Sequence, residues 1–262
     1  MRDIQYEWLS QYLSVVRDPR PDAIYSVDAQ LLTDQEQIKL LLLEYKHQIQ
    51  GSKIDVAGTY FASSWRTVCA AMIYMTAMTD VRLDLSPTNL RIQIDCGNGY
   101  PQLLFVLKSA AELAWPTGER TEWQRNSMEQ FYRSLQPIMS AISAVTDLPL
   151  SQLWGQIPLG AEYYVNLLSG LFDEEQHREH LLEAYGALTK HINCSCFGLK
   201  RNPFDVKEIW LDDPYQPGEQ TRMKPTCCLA YLTGDGYCYT CPKLSKQDRQ
   251  KRYQEIQSAY SQ

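Results

Sequence analysis

Residues 56–78 read VAGTYFASSWRTVCAAMIYMTAM, a stretch that is apolar or small almost throughout and long enough to span a bilayer. Arg66 lies inside it, beside Ser63 and Ser64, and an unpaired arginine in lipid is costly. The stretch is therefore read as a helix buried in a protein core that stops near Asp80, and no stable membrane insertion is expected. The flanking sequence supplies what would cover such a helix. Thr33 and Glu36 have capping-box spacing, and Ile38, Leu41, Leu42, Tyr45 and Ile49 follow at helical intervals, which predicts an amphipathic helix from about Asp34 to Gln50. Leu90, Ile92 and Ile94 alternate with Arg91, Gln93 and Asp95 ahead of Asn98-Gly99 and the apolar run Leu103 to Leu107, a β-hairpin pattern. Helical spacing returns at Phe131, Leu135, Ile138, Ile142 and Val145, with Pro137 expected to kink or split the helix. Another helix is expected through Tyr163, Tyr164, Leu167, Leu168 and Leu171. A further one should open at Asp173, with Gln176 as its capping partner, and run to about Lys190.

At 262 residues and 44% hydrophobic content the chain can bury a sizeable core. Its formal charge of -6 argues against nucleic acid as the main partner, because neutralising phosphates needs a broad basic surface. The opening residues scatter charges through MRDIQYEWLSQYLSVVRDPRPD and contain no apolar run of the kind that a secretory signal needs, which predicts a cytoplasmic location. In a reducing compartment the 8 cysteines are poor candidates for a disulfide framework. Their distribution points to metal chemistry instead: Cys69 and Cys96 are isolated, and all the others fall from Cys194 onward. After Cys196 the texture also changes, with Gly198, Pro203, Pro214, Pro217, Gly218 and Pro225 punctuating short segments of which Val206 to Leu211 is the best strand candidate. The expected fold is α+β, with a helix-rich body over residues 1–196 carrying the hairpin and a small loop-rich C-terminal module over 197–262.

Within that module, residues 225–242 read PTCCLAYLTGDGYCYTCP, a C-C-x9-C-x2-C pattern built from Cys227, Cys228, Cys238 and Cys241. Four thiolates are the usual protein ligands of iron-sulfur clusters, and the C-x2-C half forms a tight loop in which two sulfurs converge. Gly234 and Gly236 let the intervening loop turn back toward the vicinal pair. Adjacent side chains in an extended chain point to opposite faces, so a bend is required at Cys227-Cys228. A four-cysteine zinc site uses the same donors, but zinc modules usually pair two C-x2-4-C knuckles and only one is present here. Spacing alone leaves both metals open.

At these residues the sequence resembles the FhuF-type ferric-siderophore reductases, whose C-terminal [2Fe-2S] module has a vicinal cysteine pair followed by a C-x2-C. The likeness extends to Asn202-Pro203, to the basic approach formed by Arg222 and Lys224, and to Tyr237-Cys238-Tyr239-Thr240-Cys241-Pro242. It continues more weakly upstream, at the helix around Trp65, at Leu83-Asp84-Leu85-Ser86-Pro87 and at Leu153-Trp154. The spacer between Cys228 and Cys238 is one residue shorter than the family pattern. The resemblance implies a [2Fe-2S] cluster on Cys227, Cys228, Cys238 and Cys241. It also implies an oxidoreductase that passes one electron to Fe(III) in a siderophore, of the hydroxamate type, and releases Fe(II). Arg201, Arg222 and Lys224 are then the candidates to contact an anionic ferric complex. The competing expectation is a non-enzymatic protein-interaction module stapled by zinc.

Other patterns carry less. His191, Cys194 and Cys196 lack a fourth ligand nearby, and Glu174-x-x-His177 occurs once where a di-iron site needs two copies. Neither common phosphate-cradling loop is present, so electrons are expected from an external donor such as a ferredoxin or flavin reductase. Lys243, Lys246, Arg249, Lys251 and Arg252 read as a solvated helix face, with docking of an acidic ligand or electron donor as the alternative.

Overall fold

A computed structural model describes residues 3–115, 118–234 and 236–260. In chain order the first elements are helix α1 (Tyr6–Leu13), strands β1 (Val15–Val16) and β2 (Tyr25–Asp28), and helices α2 (Gln35–Gln48) and α3 (Ile54–Met78). Strands β3 (Val81–Leu83), β4 (Leu90–Asp95), β5 (Gln102–Leu107) and β6 (Glu112–Ala114) follow. Four helices complete the body: α4 (Arg120–Thr146), α5 (Leu150–Trp154), α6 (Pro158–Ser169) and α7 (Glu175–Lys190). Strands β7 (Trp210–Asp212) and β8 (Gln220–Arg222) and helix α8 (Lys246–Tyr260) lie beyond them. The fold is α+β and helix-rich, as the sequence predicts.

Helix α3 is the axis of the body, with α1, α2, α4, α5, α6 and α7 all packed against it. Phe61, Trp65, Val68, Ile73 and Met75 are fully or almost fully buried, which is why the sequence there is apolar on every face. No helix among the described residues is long and apolar enough to cross a membrane. Helix α2 is capped by Asp34, whose side chain accepts from the Glu36 and Gln37 amides at 3.0 and 3.1 Å. Thr33, expected in that role, closes the preceding 3-10 turn, its hydroxyl donating to Gln30 O. The hairpin forms with Leu90 opposite Leu107 and Asp95 opposite Gln102. Strands β2 and β1 extend it to a sheet ordered β1-β5-β4-β2, antiparallel except for β1 against β5.

Several boundaries differ from expectation. Pro137 neither splits nor ends α4. It and Arg133, whose carbonyl loses its helical donor, are both exposed, so water can take that bond. Helix α7 opens at Glu175 without a side-chain cap; Arg178 Nε instead donates to Phe172 O at 2.6 Å. The strand expected over Val206 to Leu211 begins only at Trp210, because its partner β8 is three residues long and pairs with Trp210–Asp212. Phe197 and Phe204, which the sequence assigns to the C-terminal module, are buried in the main core.

Candidate functional site

The cysteine loop is fastened to the body through its backbone. Gln152 of α5 and Gln156 each donate to Cys227 O at 3.2 Å, Gln156 Nε2 donates to Thr226 Oγ1 at 2.6 Å, and Thr226 Oγ1 donates to Gln152 O. Thr59 of α3, itself fully buried, donates to Cys228 O at 2.6 Å. The close approach depends on Gly155, where a Cβ would stand 2.6 Å from Thr226 Cγ2. Beyond the pair the chain reverses at Leu229, a buried residue in the left-handed region with φ 61°. This reversal directs the Leu229 amide at Cys227 Sγ, 3.4 Å away. Gly234 and Gly236 also take positive φ, as the returning loop requires. Arg249 of α8 clamps the C-x2-C turn, donating to the carbonyls of Tyr239 and Cys241, and the turn closes on itself through Cys241 N to Cys238 O.

The two neighbouring cysteines face different surroundings. Cys227 is buried with Val56, Leu229 and Cys241 in a small apolar cluster, its Sγ 3.5 Å from that of Cys241. This is far too long for a disulfide. Two thiolates on one tetrahedral metal at about 2.3 Å stand roughly 3.8 Å apart, so this pair is spaced as ligands of one atom. Burial first, then the neighbouring Cys227 thiol, pushes the Cys241 thiol up to about 11, so a metal must displace its proton. Cys228 turns outward, 3.9 Å from Lys224 Nζ. Burial alone would lower the Lys224 pKa, but Cys228, Cys238 and Cys241 more than offset it and the net shift is upward. The structure thus sets Cys228, Cys238 and Cys241 around one ammonium group, with Cys227 behind them against Cys241. Among the described residues no three His, Cys, Asp or Glu side chains converge as ligands of a single ion. The arrangement is one close pair with two further thiols beside it. Four thiols with no carboxylate among them fit a thiolate-ligated centre.

A cavity of about 680 Å³ opens between this loop and the body, and Lys224, Pro225, Thr226 and Cys228 form part of its wall. Tyr45 of α2, Tyr60 and Arg66 of α3, Tyr100 of the β4–β5 turn and Tyr164 of α6 form much of the rest. Burial raises the Tyr45 hydroxyl to about 12, against the pull of Arg66, which keeps it a neutral hydrogen-bonding group. No aspartate or glutamate is among the lining residues described.

The other sequence candidates lie elsewhere. Arg222 bonds to Glu162 and to Glu208, the latter at 3.0 Å, and lies over Trp210, outside the cavity wall. Arg201 is exposed and also outside that wall. Cys69 is buried against the Tyr132 hydroxyl, and Cys196 is buried in the main core. His177 pairs with Glu174 at 3.0 Å on the open end of α7. Sequence reasoning missed Thr59, Gln152 and Gln156, which carry no motif; it placed Arg249 on a solvated helix face, whereas that side chain is half-buried against the cysteine turn, and it read Arg66 only as an argument against lipid. No protein-family model matches the chain, and no curated protein is significantly similar to it.

Proposed function

We propose that the chain is a cytoplasmic ferric-siderophore reductase in which Cys227, Cys228, Cys238 and Cys241 hold a [2Fe-2S] cluster and the 680 Å³ cavity receives the siderophore. The observation that carries this reading is the shared wall: the segment that presents Cys228 and Lys224 is also one side of the cavity. When bound, such a cluster supplies a single electron without forming a bond to the substrate. The motif likeness to the FhuF-type reductases supports the same assignment.

The chain's own residues have three tasks. Cys228 brings the ligand set to the edge of the cavity, so that substrate and centre are separated by little protein. Lys224 offsets the charge of several thiolates in a half-buried setting, and a cation there makes added negative charge easier to accept. Tyrosine and serine hydroxyls around the cavity suit the oxygen-rich surface of a ferric chelate, of the hydroxamate type, by donating hydrogen bonds. Siderophore Fe(III) is held by hard, charged oxygens. One electron gives Fe(II), which is larger and less charged, and the chelate then releases it. The electron comes from an external donor such as a ferredoxin or flavin reductase.

The purified protein should be red-brown, contain iron and sulfide in equal amounts, and bleach on reduction. Adding a ferric hydroxamate should restore the colour while a ferrous-specific dye traps the product. A colourless protein carrying zinc would overturn the proposal in favour of a stapled protein-interaction module.

A further inference from the structure

Arg66 is the only charged side chain of α3 beyond Asp55, and it points into the cavity wall from a helix that is otherwise core. Its Nη1 donates to Ser63 Oγ at 2.7 Å, and its guanidinium lies over the Tyr164 ring at 5.9 Å from the centroid. It has no carboxylate partner among the described residues. Room is reserved for it: at Gly160 of α6 a Cβ would stand 2.1 Å from Arg66 Cδ, so the side chain can lie flat against that helix only because α6 lacks one there. Lys224, the other cation of the cavity, already faces the thiols, whereas Arg66 faces hydroxyls and an aromatic ring. A half-buried guanidinium with no carboxylate partner among the described residues costs free energy, and a docked anion offsets that cost. Its planar fork is suited to a carboxylate held at two points.

We infer that Arg66 anchors an anionic group of the ligand, so that the site selects ferric chelates of net negative charge over neutral and cationic ones. This rests on the reading that the cavity takes a ferric chelate, and it assigns that chelate's charge class to one residue of the body.

Binding can be measured without electron transfer by using gallium(III), which matches the ferric ion in charge and coordination and is not reduced by the protein. The probes are gallium complexes of one linear trishydroxamate whose pendant amine is free, acetylated or succinylated, giving cationic, neutral and anionic forms. Titration of the full chain is followed by calorimetry. The parent protein should bind the anionic form about tenfold more tightly than the neutral one. Arg66→Gln should abolish most of that preference and leave the neutral affinity within about twofold. Arg66→Lys, which keeps the charge, should retain most of the preference and also serves if the glutamine variant folds poorly. Equal affinities in the parent, or a preference that survives in Arg66→Gln or is lost equally in Arg66→Lys, would overturn the assignment while leaving the reductase reading intact. No binding of any complex would overturn both.

Discussion

Alanine at position 155 tests how tightly the cysteine loop is seated on the body. The new methyl would lie 2.6 Å from Thr226 Cγ2 and 2.9 Å from both Thr226 Oγ1 and the Ser151 carbonyl oxygen. Carbon atoms rest at about 3.5–4 Å, so Thr226 must retreat by roughly 1 Å. That shift would stretch the 2.6 Å bond from Gln156 beyond hydrogen-bonding range and pull on the 3.2 Å bonds that hold Cys227 O. Overpacking of this kind costs ~1–3 kcal/mol, and a lost hydrogen bond adds ~1 kcal/mol. Gly155 has an ordinary φ of -66°, so alanine recovers about 0.4–1 kcal/mol by restricting the unfolded chain. The net expectation is a destabilisation of about 2 kcal/mol, read from urea denaturation followed by tryptophan fluorescence, with a lower metal content in the purified variant. Thr226→Ser removes the methyl and keeps the hydroxyl, so Gly155→Ala combined with Thr226→Ser should cost at least about 1 kcal/mol less than the sum of the two single changes. Strict additivity, or a Gly155→Ala variant as stable as the parent, would refute the account of a close-packed seam.

Serine at any one of Cys227, Cys228, Cys238 or Cys241 should remove or greatly weaken the visible absorption of the bound centre, whereas Cys69→Ala and Cys96→Ala should keep it; loss in Cys194→Ser and Cys196→Ser with retention in Cys227→Ser would mean that the ligands are misassigned. Lys224→Gln should slow reoxidation of the reduced protein by an anionic ferric hydroxamate, and the defect should shrink as salt rises. Arg222 is already engaged by Glu162 and Glu208, so Arg222→Gln should leave that rate within about twofold and cost ~1 kcal/mol of stability; equal slowing by both variants would place Arg222 at the substrate. Burial first, moderated by the Tyr132 hydroxyl, raises the Cys69 thiol from 9.0 to about 12. The folded state therefore holds that proton more tightly, so its contribution is complete below pH 9 and drains away as pH climbs toward 12, at on the order of 1 kcal/mol per pH unit. Stability measured from pH 8 to 11 should fall less steeply in Cys69→Ala than in the parent, and parallel curves would contradict this.

The elements that sequence made visible are those whose pattern is local. Helix α3 announces itself by an unbroken apolar and small-residue run, helix α2 and the hairpin β4–β5 by the period of their apolar residues over a short window, and their observed limits lie within a few residues of expectation. Strand β1 is two residues long and β2 four, too short for alternation to register, and both exist because β5 and β4 offer them an edge. The first turns of α4, rich in Arg120, Glu122, Gln124, Arg125 and Asn126, carry too little apolar periodicity to be recognised. The pattern of Cys227, Cys228, Cys238 and Cys241 was visible in the sequence because residue spacing is a property of the chain itself. The cavity was not, since its wall draws on Tyr45, Arg66, Tyr100, Tyr164 and Lys224, residues that only the tertiary fold brings together. Nor could sequence separate Arg222 from Lys224: both are cations just ahead of the cysteines, and only the positions of Glu162 and Glu208 divide them.

The bond from Thr59 to the Cys228 carbonyl joins residues 169 positions apart, and those from Gln152 and Gln156 to Cys227 span more than 70. Each of these side-chain tethers to the carbonyls of the vicinal pair thus begins on a segment made earlier in synthesis than the cysteines themselves. The receiving surface, α3 with α5 and the residues just after it, can assemble while the later cysteines are still on the ribosome. On the assignment proposed above, loading of the thiols is then a closing event in maturation: a chain whose body has misfolded offers the carbonyls of Cys227 and Cys228 no fixed anchors. On the proposed assignment such a chain is a poor acceptor of metal, which ties occupancy to correct folding.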